Sequence, residues 1–206
     1  MKIAGIVLAG GLSSRMGQDK AKLVLADQTL LARNVSLLSS LNLADVFVSG
    51  DYDGFECITD INPLLGPIGG LHACVSKLMT HYNALFIMPV DMPLLGVDEC
   101  RYLLDSFKFY EKGVYYQQST FPMIIPLTIQ LQDYLSEALA SPHNKQRSLY
   151  RLLKTLKLQP IHYRAEKGYR FQNSNTPQEW DACLESYHSE TSHLENVTLS
   201  KKKDHR

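Results

Sequence analysis

The amino-acid sequence predicts a single α/β domain with an open, mostly parallel, twisted sheet and helices on both faces. Two observations carry this prediction. Three apolar runs, "IAGIVLAG" from Ile3, "ADVFVSG" at Ala44–Gly50 and "NALFIMPVD" at Asn83–Asp91, show no in–out alternation, as expected of strands buried on both faces. Amphipathic stretches of helical period lie between them, and strands alternating with helices at this spacing build βαβ units. A chain of 206 residues with 45% hydrophobic content has apolar mass for one such core.

The elements follow in order. The run from Ile3 ends in glycines and predicts the first strand. Thr29 can cap a helix that places Leu30, Leu31, Val35, Leu38 and Leu41 on one side. "DVFV" forms the next strand. "IGGLHACVSKLM", Ile68 to Met79, predicts a second helix and Val97 to Phe107 a third, on either side of the strand ending at Asp91. After about Gly113 the periodicity loosens. "VYYQQSTFPMIIPLT" predicts two short strands joined by a polar turn, and "IQLQDYLSEAL" and "RSLYRLLKTL" predict helices. "GYRF" predicts a strand edge, followed by a loop and a helix begun by Thr176-Pro177. Apolar residues thin out from His188 onward and the chain ends in "KKKDHR". The expected division is a domain over 1–187 and a polar, largely disordered tail over 188–206.

The charge balance narrows function. Twenty-one basic residues offset twenty-one acidic ones, which argues against nucleic acid or an anionic membrane as partner. A small anionic ligand needs only a few local charges. The four cysteines are dispersed and form no CxxC pair, and the seven histidines show no metal-ligand spacing, so reduced cytosolic thiols are expected. "MKIAGIVLAGG" lacks the long apolar core and cleavage site of a secretory leader, and no apolar run reaches the roughly 18 residues of a membrane helix. A cytoplasmic location is expected, and the sequon at Asn196-Val197-Thr198 has no consequence there.

In an open parallel sheet, ligands bind beyond the carboxyl ends of the strands. Gly10–Lys20, Ser49–Gly54 and Pro89–Pro93 each follow a predicted strand end, so the fold brings them to one rim. In "LAGGLSSRMGQDK", Leu8 to Lys20, Gly10 and Gly11 allow a tight turn whose amides can meet phosphate oxygens. Arg15 and Lys20 add cations, and Ser13 and Ser14 add hydroxyls. A Walker A loop is excluded because Ala21 follows the lysine, and the G-x-G-x-x-G dinucleotide pattern is absent. By its own residues the segment reads equally as a phosphate cradle or as a glycine turn followed by solvated charges. Asp91 at a strand end, between Pro89 and Pro93, suits a Mg²⁺ ion bridging phosphates, or a simple turn cap.

The segment "LAGGLSSRMGQDK" resembles the N-terminal signature of the molybdenum cofactor guanylyltransferases, LAGG-x3-RMG-x-DK. "TDINPLLGPIGGL" at Thr59–Leu71, "PVDMPLL" at Pro89–Leu95 and "FQNSNTPQEW" at Phe171–Trp180 resemble three further segments of that family, in order, over about residues 1–187. The resemblance implies a Rossmann-like nucleotidyltransferase domain. It implies GTP contacts from Leu8, Ala9, Gly10, Gly11, Lys20, Ser49, Asp60 and Asp91, and a Mg²⁺ cofactor on Asp91. Arg15, Lys20 and Asp91 are the implied catalytic residues. Asn173 and Asn175 are implied on the acceptor side, with Arg147 a weaker candidate. Three positions depart from the family pattern: Ser49 stands where relatives often carry Asn, Val90 where they carry Cys, and Phe121 where they carry His.

The expected reaction moves GMP from GTP onto the terminal phosphate of molybdenum-molybdopterin, with release of pyrophosphate. Molybdoenzyme-delivery or cofactor-biosynthesis proteins are expected as further partners. Two alternatives stand beside it: transfer from CTP or to a sugar phosphate, and a non-catalytic adaptor that binds nucleotide and hands on the cofactor.

Overall fold

The computed structural model describes residues 1–10, 16–60 and 65–203. The chain runs through β1 (Ile3–Leu8), a 3-10 turn at Lys20–Lys22, the small hairpin β2 (Val24–Leu25) and β3 (Gln28–Thr29), and α1 (Leu30–Ser39). β4 (Asp45–Ser49), β5 (Cys57–Ile58), α2 (Pro67–Leu78) and β6 (Ala84–Pro89) follow. The second half holds α3 (Val97–Tyr110), β7 (Val114–Tyr116), β8 (Met123–Pro126), α4 (Ile129–Ala140), α5 (Leu149–Thr155), β9 (Gln159–Ile161) and α6 (Pro177–Lys203).

Seven strands form the main sheet in the order β5-β4-β1-β6-β8-β7-β9. β5, β4, β1 and β6 are mutually parallel; β8 runs antiparallel to both neighbours, and β7 and β9 are parallel to each other. All residues of β1 and β6 are buried, so both faces of the centre are covered, as their unbroken apolar runs predict. Each Ile, Leu or Phe buried there contributes about 1.5–3 kcal/mol. The crossover through α1 carries the chain from β1 outward to β4, whereas that through α2 returns it past β1 to β6. Right-handed crossovers in opposite directions put their helices on opposite faces. The reversal leaves a crevice at the carboxyl ends of β1, β4 and β6.

The expected helix starts are present. Thr29 Oγ1 accepts the Ala32 N–H at 3.2 Å, and Thr176 Oγ1 accepts the Glu179 N–H at 3.2 Å while the Glu179 carboxylate accepts from Thr176, a reciprocal capping box. One expectation needs correction. "GYRF" is not a strand edge: Ala165–Phe171 forms 3-10 turns, and β9 takes the place beside β7. α6 runs on through 187/188 to Lys203.

One largely buried cluster accounts for the turn and ties it to α6. The Arg170 guanidinium donates to Glu99 Oε2 at 3.3 Å and to Glu190 Oε2 at 2.9 Å, and the Tyr169 hydroxyl bonds the same Glu190 carboxylate. Glu99, on α3, is fully buried and also accepts the Gly96 N–H at 3.0 Å. Consecutive strand side chains point to opposite faces, whereas the 3-10 turns let Tyr169 and Arg170 reach the same Glu190 carboxylate. Glu190 thus ties α6 to the domain past 187, beyond the apolar contacts of Trp180, Leu184 and Tyr187.

Removing one member of a buried charge pair strands the other at a cost of about 3–5 kcal/mol. Arg170→Ala is therefore expected to lower the urea midpoint by a loss of that order. Adding Glu99→Gln to Arg170→Ala is expected to recover part of it. No recovery would mean that the lost packing of the arginine, not the stranded charge, sets the cost.

Candidate functional site

The crevice at the carboxyl ends of the parallel strands is a cleft of about 240 Å³. The end of β1 supplies Leu8, Ala9 and Gly10 to its wall, and the end of β4 supplies Ser49. Asp60 follows β5, Gly66, Pro67 and Gly70 open α2, and Pro89, Val90 and Asp91 end β6; Lys20 and Phe121 complete the lining. Most of the residues expected at the site therefore meet in one place. Gly11 and Arg15 lie outside the described residues.

The floor is set by backbone. The Ala9 and Gly10 N–H groups donate to the Ser49 carbonyl at 3.0 and 2.9 Å, and the Val90 N–H donates to the Leu8 carbonyl at 3.0 Å. These bonds extend the sheet pairing one residue past each strand and hold the three ends in register. Ser49 is 1% exposed, and its hydroxyl faces the first turn of α2. A Cβ on Gly70 would stand 2.5 Å from Ser49 Oγ and 3.1 Å from Asp60 Oδ1. Glycine at 70 thus makes room for two polar groups at the base of the cleft. Gly66 has φ +66°, a left-handed turn that aims the N-terminus of α2 at the same space.

Lys20 is the cation of the cleft. Its Nζ lies 3.1 Å from Asp91 Oδ2 and donates to Asn175 Oδ1 at 2.5 Å. The side chains of Lys20 and Asp91 are only 15% and 19% exposed, so the pair is largely withdrawn from water and weakly screened. Asp19 Oδ1 accepts the Ala21 N–H at 3.0 Å and starts the 3-10 turn that presents Lys20. The Ser174 N–H donates to the Asp91 carbonyl at 2.8 Å, and Glu179 accepts the Asn175 N–H at 2.6 Å. Asn175 thereby reaches the cleft from a stretch of chain far from the strand ends. Asn173 is exposed, one residue from that anchor.

Arg147 stands elsewhere. It ends a 3-10 turn after α4, donates to the Ser141 carbonyl at 3.2 Å, and does not line this cleft. Val90 and Phe121 are buried apolar walls. Cys74 is also buried, and burial pushes its thiol up to about 12, consistent with a small apolar residue rather than a nucleophile. Among the described residues no three His, Cys, Asp or Glu side chains cluster as a metal cage. A single accessible carboxylate such as Asp91 suits an ion that takes its other ligands from phosphates and water, as Mg²⁺ does.

Asp60 has a chemical property that spacing does not reveal. Its Oδ1 is buried without a hydrogen-bond partner among the described residues, and burial raises the carboxyl above its ordinary value. An unpaired acceptor at the base of a polar cleft is costly in the free protein and ready for a donor from a ligand.

Residues 5–161 match the family described as the MobA-like NTP transferase domain. The chain is 35% identical over 180 residues to a molybdenum cofactor guanylyltransferase of Xanthomonas euvesicatoria, covering 87% of this chain and 93% of the relative. It is 28% identical over 192 residues to the corresponding Yersinia pseudotuberculosis protein, covering 87% and 93%. Among solved structures, molybdopterin-guanine dinucleotide biosynthesis protein A of Archaeoglobus fulgidus superposes with a TM-score of 0.68 at 20% identity, over 92% of this chain and 100% of that one. A 4-diphosphocytidyl-2C-methyl-D-erythritol synthase of Anaerococcus prevotii superposes at 0.66 with 10% identity, over 91% and 98%. At these identities the two structures establish a shared fold.

The Asp60 carboxyl has a raised value in the folded protein, so the fold favours its protonated form. The stability this contributes is present at low pH and is lost as pH rises through the folded-state value. Asp60→Asn is uncharged at every pH. It is expected to melt higher than the parent protein at neutral pH, with the difference shrinking on acidification. Thermal melts across a pH series measure this, and a constant difference at all pH values would reject the assignment.

Proposed function

This chain belongs to the MobA-like NTP transferase family, and from that membership we propose that it transfers GMP from GTP to the terminal phosphate of molybdenum-molybdopterin. The chain is a nucleotidyltransferase enzyme, as its relatives are; the choice of nucleotide, the acceptor and the metal ion belong to this proposal. The observation that carries it is the meeting of Lys20, Asp91 and Asn175 at the mouth of a cleft with Ser49 and Asp60 at its base.

The reaction needs no protein nucleophile. An anionic oxygen of the acceptor phosphate attacks the α-phosphorus of GTP, a new P–O bond forms, the α–β bridging bond breaks and pyrophosphate leaves. The barrier lies in bringing anions together and aligning them in line. Lys20 offsets their charge as a point cation at the mouth of the cleft. The Asn175 amide carbonyl orients that ammonium, and its N–H₂ remains able to donate to the acceptor. Asp91 is the residue that would hold Mg²⁺, and the ion would supply charge neutralisation at the α-phosphate. A preorganised charge of this kind accounts for about 10²–10³ in rate.

Base selection follows from Asp60 and Ser49. Guanine presents two adjacent N–H donors on its pairing edge, at N1 and N2, whereas cytosine presents one. A buried carboxylate oxygen lacking a partner, with a hydroxyl beside it, favours the base with more donors. The shortness of Ser49 fits a base seated close to the sheet, with the β4 backbone already engaged by Ala9 and Gly10.

Purified protein with Mg²⁺, GTP and molybdopterin is expected to release pyrophosphate and form the dinucleotide. CTP is expected to support little turnover. Tight GTP binding without pyrophosphate release would identify an adaptor instead. Lys20→Ala and Asp91→Ala are each expected to lower turnover about 100-fold or more, and normal turnover by either variant would remove that residue from the mechanism. Asp60→Asn is expected to weaken GTP binding about tenfold and to narrow the preference over CTP.

A further inference from the structure

We propose that Tyr52 is a positioning residue that clamps the two ends of the glycine-rich loop and thereby sets the place of Lys20 in the nucleotide cleft. The proposal rests on the reading of Lys20 as the phosphate-binding cation.

The Tyr52 hydroxyl lies 3.1 Å from the Ala9 carbonyl and 3.3 Å from Asp19 Oδ1. These acceptors stand at opposite ends of the loop, one directly after β1 and the other directly before the turn that carries Lys20. The phenolic proton is therefore shared between the strand end and the turn. Asp19 spends the same oxygen on the Ala21 N–H, so fixing this carboxylate fixes the first amide of the turn. The path from Tyr52 to the Lys20 ammonium is two hydrogen bonds and one residue of backbone.

The ring is held for this task from its own side. The Tyr52 N–H donates to Cys57 Sγ at 3.4 Å, and the Cys57 thiol donates to the Tyr52 carbonyl at 3.3 Å, which ties the residue to β5. Gly50, at the end of β4, has φ +151°, and a Cβ there would stand 2.7 Å from Tyr52 Cε2. The glycine lets the ring lie across the strand end and reach Ala9. Burial, then the neighbouring Asp19 carboxylate, pushes the Tyr52 hydroxyl up to about 12. It remains a donor throughout the range in which phosphates are fully charged. A tyrosine serving only to fill space would not need its hydroxyl placed between a carbonyl and a carboxylate.

Tyr52→Phe keeps the ring and removes the shared proton. It is expected to weaken GTP binding about tenfold, the effect of one hydrogen bond to a charged group. In a Lys20→Met background the same change is expected to have no further effect, because Tyr52 acts through Lys20. An unchanged affinity in the first background, or an equal loss in both, overturns the proposal. A second readout needs no nucleotide: Tyr52→Phe is expected to speed hydrogen exchange at the Ala21 amide severalfold while leaving the amides of β1 and β6 at parental rates. Unchanged exchange at Ala21 overturns the clamp. Failure of the parent protein to bind GTP would overturn the functional reading, and the exchange comparison would still decide the clamp.

Discussion

The structure depends on one ammonium group. Lys20 Nζ sits between the carboxylate that ends β6 and the amide that precedes α6, at 3.1 and 2.5 Å, joining residues 71 and 155 positions away in sequence. Two carboxylates, Asp60 and Asp91, and this lysine line one crevice. The lysine holds Asp91 in place and offsets its charge. An ion pair that is largely withdrawn from water keeps its geometry in salt, which suits a site that must be assembled before a highly charged ligand enters.

The rest of the domain serves that geometry at two removes. The strand ends are locked by backbone bonds from Ala9, Gly10 and Val90, and these amount to the sheet continuing a residue further than its side chains require. The loop carrying Asn175 is locked by Ser174 on Asp91 and by Glu179 at the start of α6. Its other flank descends from the Arg170 cluster, whose charges are buried against α3. Buried charge gives little net stability, but it allows one arrangement of the 3-10 segment and rejects others.

Similarity of fold does not choose the substrate. A guanine-dinucleotide protein and a cytidyl-type synthase both superpose on this chain across nearly its whole length. The shared architecture supplies the crevice, and selectivity belongs to the side chains that line it. In this chain Asp60, Ser49 and the space kept by Gly70 stand together at the base of that crevice.

Much of this was legible in the sequence because local physics decides it. Unbroken apolar runs can only be strands covered on both faces, and Thr29 and Thr176 can cap only the helices that follow them. The parallel order then brings the segments after β1, β4 and β6 to one rim, so Asp91, Ser49 and Lys20 were readable as neighbours. The rest needed the tertiary structure. "GYRF" alternates like a strand, yet Arg170 finds Glu99 across the fold, and a buried charge outweighs local propensity. The short strands β5 and β9 carry too few residues to show a period. Asn175 was readable as polar, but its bond to Lys20 spans most of the chain. The bonds of the Tyr52 hydroxyl and the burial of the Asp60 oxygen, unpaired among the described residues, were invisible, because spacing along a sequence records which groups exist, and only packing in three dimensions decides which of them meet.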